Sequence, residues 1–226
     1  MEVTYYTDPL CSWCWALEGP WRRLRHAFAG RISWRYVLGG MIADWQQFND
    51  PLHSVARPAQ MGPHWFEIRH RTGMPIDERI WMEDPPGSSY LACLAVKAAG
   101  FQGQPAEEAF LRRTREAVML ERRNVARRDV LLALGLELAE TGSLDFDRFR
   151  ADLSSPAAEE AFREDLRDTR YREIGRFPTL LLRHGGRTVG LMGYRPYPAL
   201  LEAVAAVAPG EEPTPAPDDA LSYALS

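Results

Sequence analysis

Strand-like sequence occurs only at the two ends of this 226-residue chain, and that placement restricts the fold more than any other feature. Residues 2–8, EVTYYTD, are a β-branched and aromatic run stopped by Pro9, which reads as a strand. In residues 12–30, Trp13, Leu17, Trp21, Leu24 and Phe28 recur at the spacing of one helix face, and Gly30 closes the run. Pro20 lies inside that face and removes an internal hydrogen bond, so a kink is expected there. Residues 31–40, RISWRYVLGG, return to alternation as a second strand and complete a β-α-β opening.

From residue 44 to residue 172 the pattern is helical, broken by turn signals such as Gly62-Pro63, Pro85-Pro86-Gly87 and Thr141-Gly142. About five helices fit this stretch. Ser88 or Ser89 is placed to cap residues 90–99, and Asp129 to cap residues 130–140. FPTLLLR (177–183) and RTVGLMG (187–193) flank a Gly-Gly turn as a β-hairpin, and residues 197–208 close as an apolar helix. The fold class expected is therefore α/β, with an inserted α-helical domain. A sheet-bearing domain of residues 1–43 and 173–208 is interrupted by a helical domain of residues 44–172. The acidic, Pro-rich residues 209–226 read as a flexible tail.

The chemistry concentrates at Cys11-Ser12-Trp13-Cys14, where the first strand gives way to the first helix. The first turn of a helix offers unpaired N–H groups and the positive end of its dipole, which favour a thiolate. Residues three apart share a helix face, close enough to form a disulfide with little backbone movement. Cys11, the more N-terminal, is expected to be exposed, to titrate below a free thiol and to attack; Cys14 then resolves the mixed disulfide. A zinc site needs four ligands, and the other candidates are Cys93 and the scattered His26, His53, His64, His70 and His184, in no second ligand-spaced pair. Cys93 reads as a core residue. Trp13 is either an apolar surface beside Cys11 or part of the core, Asp8 opposes thiolate formation if it points inward, and Glu18 is a candidate proton acceptor for Cys14 if buried.

A net charge of -4 speaks against nucleic acid or an anionic membrane as partner. The arginines at 112–128 are interleaved with acids and read as a solvated helix surface. No apolar run reaches about 18 residues and no basic-then-apolar leader opens the chain, so the expected location is the cytoplasm. In that reducing compartment a close cysteine pair points to redox chemistry rather than to a structural disulfide.

The strand followed by DPLCSWCW, the helical insertion, and GRFPTLLL leading into a hairpin together resemble the DsbA-like branch of the thioredoxin superfamily. The likeness is closer to its cytoplasmic, FrnE-like members described as protein-disulfide isomerases, and GGM (39–41), RTGMPI (71–76) and SSYLACLAVKAA (88–99) extend it. The resemblance implies a thiol-disulfide oxidoreductase whose catalytic residues are Cys11, Cys14 and a cis Pro178. Ser12, Trp13, Phe177 and Thr179 would then touch substrate. It implies protein thiols, protein disulfides or glutathione as partners, no metal, and no cofactor beyond the dithiol, in a monomer or homodimer. Two other readings share the architecture. One is a glutathione-dependent transferase or isomerase of the kappa or hydroxychromene-carboxylate type, against which the second thiol argues. The other is a non-catalytic adaptor that presents clients to a protease.

Overall fold

The computed structural model describes residues 1–215. In chain order the elements are β1 (Glu2–Thr7), α1 (Ser12–Ala16), α2 (Glu18–Ala27), β2 (Ser33–Leu38), α3 (Pro58–Thr72), α4 (Ile80–Glu83) and α5 (Tyr90–Gly100). They continue as α6 (Gln104–Met119), α7 (Arg128–Glu140), α8 (Phe146–Asp152), α9 (Pro156–Tyr171), β3 (Thr179–His184), β4 (Arg187–Met192) and α10 (Tyr197–Val207). The strands form one sheet in the order β2-β1-β3-β4. β1 runs parallel to β2, from Glu2↔Ser33 to Thr7↔Leu38, and antiparallel to β3. A parallel neighbour needs a crossover, which α1 and α2 supply. β3 and β4 turn through Gly185 and Gly186 at φ 52° and 81°, the left-handed pair that matches strand twist in a two-residue hairpin.

Three sequence expectations are corrected. The helical run breaks at Leu17 rather than kinking at Pro20, because Pro20 falls in the first turn of α2, where its missing N–H has no intrahelical role. Seven helices stand between β2 and β3 among the described residues, since α4 and α8 are too short to show periodicity. The caps are met in part. Ser88 Oγ accepts from Tyr90 N at 3.1 Å at the head of α5, while Ser89 Oγ donates to Asp8, and α7 starts a residue before Asp129. The segment after Val207 begins with an ordered anchor: Arg31 donates to Glu211 Oε2 at 3.0 Å and to the Glu212 carbonyl at 2.8 Å. The rest of the expected tail, 216–226, lies outside the described residues.

The helical region has its own aromatic centre, in which Trp81 stands edge-on to Trp65 at 5.1 Å and to Trp45 at 5.7 Å. Helix α9 closes the open edge of the sheet, with Leu38 N donating to Asp165 at 2.8 Å and Tyr6 Oη to Asp168 at 2.8 Å. Contact of this kind at Leu38 covers the C-terminal end of the β2 edge. Among the described residues no helix is long and apolar enough to cross a membrane.

Candidate thiol site

The Pro9-Leu10 turn carries the chain from β1 into α1, and Cys11 becomes the N-cap of that helix. Its Sγ accepts a hydrogen bond from Cys14 N at 3.2 Å, which satisfies one of the helix's orphan donors. Both cysteines are thiols and both are buried. Cys11, at 3% exposure, is not the exposed group expected from sequence, yet it lies in the floor of a cavity of about 610 Å³. Ser12 and Trp13 line the same cavity, Gly39 to Met41 form one wall, and Phe177 another.

The charge of the pair also departs from expectation. Burial pushes the Cys11 thiol well above its ordinary range, with the hydrogen bond to Cys14 adding to the effect. Burial works the same way on Cys14, but the hydrogen bond from Cys11, the nearby Arg115 guanidinium and Thr7 outweigh it and lower that thiol. Of the two thiols Cys14 is therefore the more acidic, the reverse of the order expected from sequence. Cys11 lines the cavity and Cys14 does not, so Cys11 is the sulfur within reach of a molecule in it. Access limits exchange as much as thiolate content does.

Beneath Cys14 stands a fully buried guanidinium. Arg115 Nη1 donates to Glu18 Oε2 at 2.8 Å, and Nη2 donates to Thr7 Oγ1. Glu18 is thus buried, as the proton-acceptor reading required, and it is ion-paired. Asp8 also points inward. It accepts from Leu10 N at 2.9 Å, Met41 N at 2.6 Å, Ser89 Oγ at 2.8 Å and Cys93 Sγ at 3.5 Å, tying the thiol turn, the exit of β2 and the start of α5 together. Burial raises its pKa, and these donors only partly offset that. Cys93 is buried in the core.

Pro178 follows a cis peptide bond, as the resemblance implied. Phe177 reaches the cavity, but Thr179 does not line it: the side chain is buried and its hydroxyl donates to the Arg176 carbonyl at 2.7 Å. Trp13 is half-buried, with Tyr194 at 5.9 Å, His64 at 6.2 Å and His53 at 6.4 Å.

That histidine pair escaped the sequence reading. His53 and His64 lie 4.5 Å apart over Trp13, and His53 Nδ1 is 2.7 Å from Asp50 Oδ2. No linear spacing marked them, because a loop brings His53 onto α3. Burial, with His53 nearby, pushes His64 down to about 4. A folded pKa below the unfolded value of about 6.5 means stability that is complete above pH 6.5 and lost as pH falls towards 4. His64→Gln should flatten the fall in urea midpoint between pH 6.5 and 4 relative to wild type, and identical slopes for the two proteins would rule this out.

Arg115 was hidden in a different way, inside an arginine run that reads as a surface. The available signal was its place four residues after Leu111 and three before Val118, both apolar and both buried on α6. Among the described residues no group of His, Cys, Asp and Glu is arranged to hold a metal ion.

Residues 5–200 match the family described as Thioredoxin. The ClpXP adapter protein SpxH of Halalkalibacterium halodurans is 30% identical over 219 residues, which cover 94% of this chain and 70% of that protein. The cytosolic disulfide reductase DsbM of Pseudomonas aeruginosa is 26% identical at a TM-score of 0.66, covering 84% of this chain and 89% of that one. The same reductase with GSH is similar at 25% identity. A candidate protein disulfide isomerase of Nitrosomonas europaea, 22% identical, superimposes at a TM-score of 0.75 over 91% of this chain and 96% of that one, which shows the fold alone.

Proposed function

Because the chain belongs to the thioredoxin family and has its DsbA-like architecture, we propose that Cys11 and Cys14 exchange disulfides with polypeptide clients held in the cavity above Cys11. The observation that carries this reading is the seating of the two thiols: Cys11 caps α1, accepts from Cys14 N at 3.2 Å and forms part of the cavity floor. In the reducing direction, Cys11 as thiolate attacks one sulfur of a client disulfide. The client's other sulfur leaves as a thiolate and takes a proton. Cys14, as thiolate, then attacks Cys11 Sγ, which breaks the mixed disulfide, releases the second client thiol and leaves Cys11 bonded to Cys14. The same steps reversed oxidise a client. The likeness to DsbM, a cytosolic disulfide reductase, supports the reducing direction.

Cys14→Ala should accumulate mixed disulfides, because attack persists while the intramolecular exit is gone. Cys11→Ala should trap nothing. Non-reducing gels of both variants read this directly, and adducts that form equally without Cys11 would sink the exchange reading.

A second reading is favoured by the sequence relatives, and they bear on it more directly than anything bears on the first. At 30% identity over 94% of this chain, the relative from Halalkalibacterium halodurans is a ClpXP adapter. In this reading the cavity holds a protein for delivery to ClpXP and the thiols are dispensable. The double variant Cys11→Ala/Cys14→Ala decides between them: undiminished delivery together with no loss of any wild-type activity establishes the adapter, and loss of disulfide turnover establishes the exchange.

A further inference from the structure

We propose that a basic pocket beside the thiols selects polypeptide clients whose reactive cysteine is flanked by acidic residues. This rests on the cavity above Cys11 being where clients bind, and it adds what they must carry. The pocket encloses about 200 Å³ and is lined by Arg71, Arg176 and Arg195 together with Trp13, Phe177 and Met192. Among the described residues no carboxylate lines it. Three guanidinium groups thus gather on a chain of net charge -4, and among the described residues only Arg71 of the three has an acid partner, the exposed Glu67.

The partners of these arginines leave their charges available. Arg195 Nη1 donates to the Tyr194 carbonyl at 3.2 Å, and neither it nor Arg176 has an ion pair among the described residues. Arg71 pairs with Glu67 at 3.1 Å, but the two side chains are 60% and 57% exposed, and such a pair is weak. Arg71 also lies 5.2 Å from the centre of the Trp13 ring, which places one guanidinium next to one of the two residues between the cysteines.

The shape favours an extended chain. Trp13, Leu52, His53, Arg176 and Phe177 line both this pocket and the larger cavity, so the two form one trough running past Cys11. Its rim carries Leu52 at 59% and Met192 at 63% exposure, apolar surface that a peptide bearing only charge would leave uncovered. An extended segment with acidic residues beside its cysteine and apolar ones further out matches both features. Guanidinium groups bind carboxylates in two-pronged fashion, which gives geometry as well as charge.

The test uses two synthetic peptides of equal length, each with one cysteine, flanked by Asp and Glu in one and by Lys and Arg in the other. Binding of their serine versions to Cys11→Ala/Cys14→Ala protein is read by fluorescence anisotropy. Reaction is read with Cys14→Ala protein and each peptide as its 2-pyridyl disulfide. Cys11 thiolate attacks the peptide sulfur, the pyridyl sulfur leaves and is protonated to the coloured thione, and Cys11 stays bonded to the peptide.

The acidic peptide should bind about tenfold more tightly and react about tenfold faster at low salt, and the gap should shrink to about threefold or less near 1 M salt. Arg176→Gln/Arg195→Gln in the same backgrounds should reduce the preference to about twofold or less with an unchanged melting temperature. Equal behaviour of the two peptides, or a preference that survives this double substitution, overturns the proposal. So does a glutathionyl pyridyl disulfide that outpaces the acidic peptide, since the carboxylates recognised would then be those of a small thiol. A binding preference without any reaction at Cys11 upholds the pocket and removes the exchange reading alone.

Discussion

Arg115→Ala should cost about 3–5 kcal/mol of folding stability, the largest loss expected from any single charge removal in this chain. The guanidinium is 1% exposed and is the close partner of Glu18, which is itself buried. Without it the Glu18 carboxylate keeps Arg112, at 4.0 Å and partly in solvent, and the charge of Arg22, so a buried carboxylate loses its close partner. Thr7 Oγ1 loses its donor as well. Breaking one partner is costlier than removing both, so Arg115→Met combined with Glu18→Gln should recover much of the loss. Urea denaturation of the three variants checks this. A single variant no worse than an exposed substitution, below about 1 kcal/mol, would show that the pair is not the buried unit described. Because Arg115 also lowers the Cys14 thiol, the alanine variant should leave Cys14 less ionised and resolve mixed disulfides more slowly at neutral pH.

Gly39→Ala should reduce exchange about tenfold or more while leaving a folded protein. Gly39 stands at the end of β2 against the Phe177 ring, and a methyl group there would fall 1.8 Å from Phe177 Cζ. The ring must move, and with it the cavity wall that precedes Pro178. Overpacking of this kind costs about 1–3 kcal/mol. Phe177→Ala added to Gly39→Ala makes room, so the double variant should melt higher than Gly39→Ala alone. Gly190→Ala is the comparison, since its methyl meets only Leu181 Cδ2 at 3.3 Å and should be mild. Melting curves and thiol-exchange rates read both effects, and a Gly39→Ala protein with wild-type exchange would mean that the Phe177 wall plays no part.

Much of the fold was legible because its signals are local. Alternation in residues 2–8 and 31–40, the Gly-Gly turn at 185–186 and the periodicity of residues 197–208 each depend on neighbours in sequence, and all these elements formed within a residue or two of their expected ends. The helix break was misplaced because proline has opposite consequences in a first turn and in a helix interior, and sequence alone did not say where the turn began. The arginines at 112–128 looked like a solvated surface because charge dominates that stretch, although Arg115 on α6 is core.

The sequence by itself determined that two thiols stand at the head of a helix leading from a sheet, and that the sheet is split by a helical insertion, since spacing and period are properties of the chain. Only the tertiary structure decided how those thiols behave. Burial of Cys11, the Arg115 charge beneath Cys14, the inward carboxylate of Asp8, the histidines over Trp13 and the three arginines beside it come from four separate stretches of chain. Desolvation and Coulomb interactions depend on distance through space and on the solvent excluded between groups, quantities that no linear spacing contains.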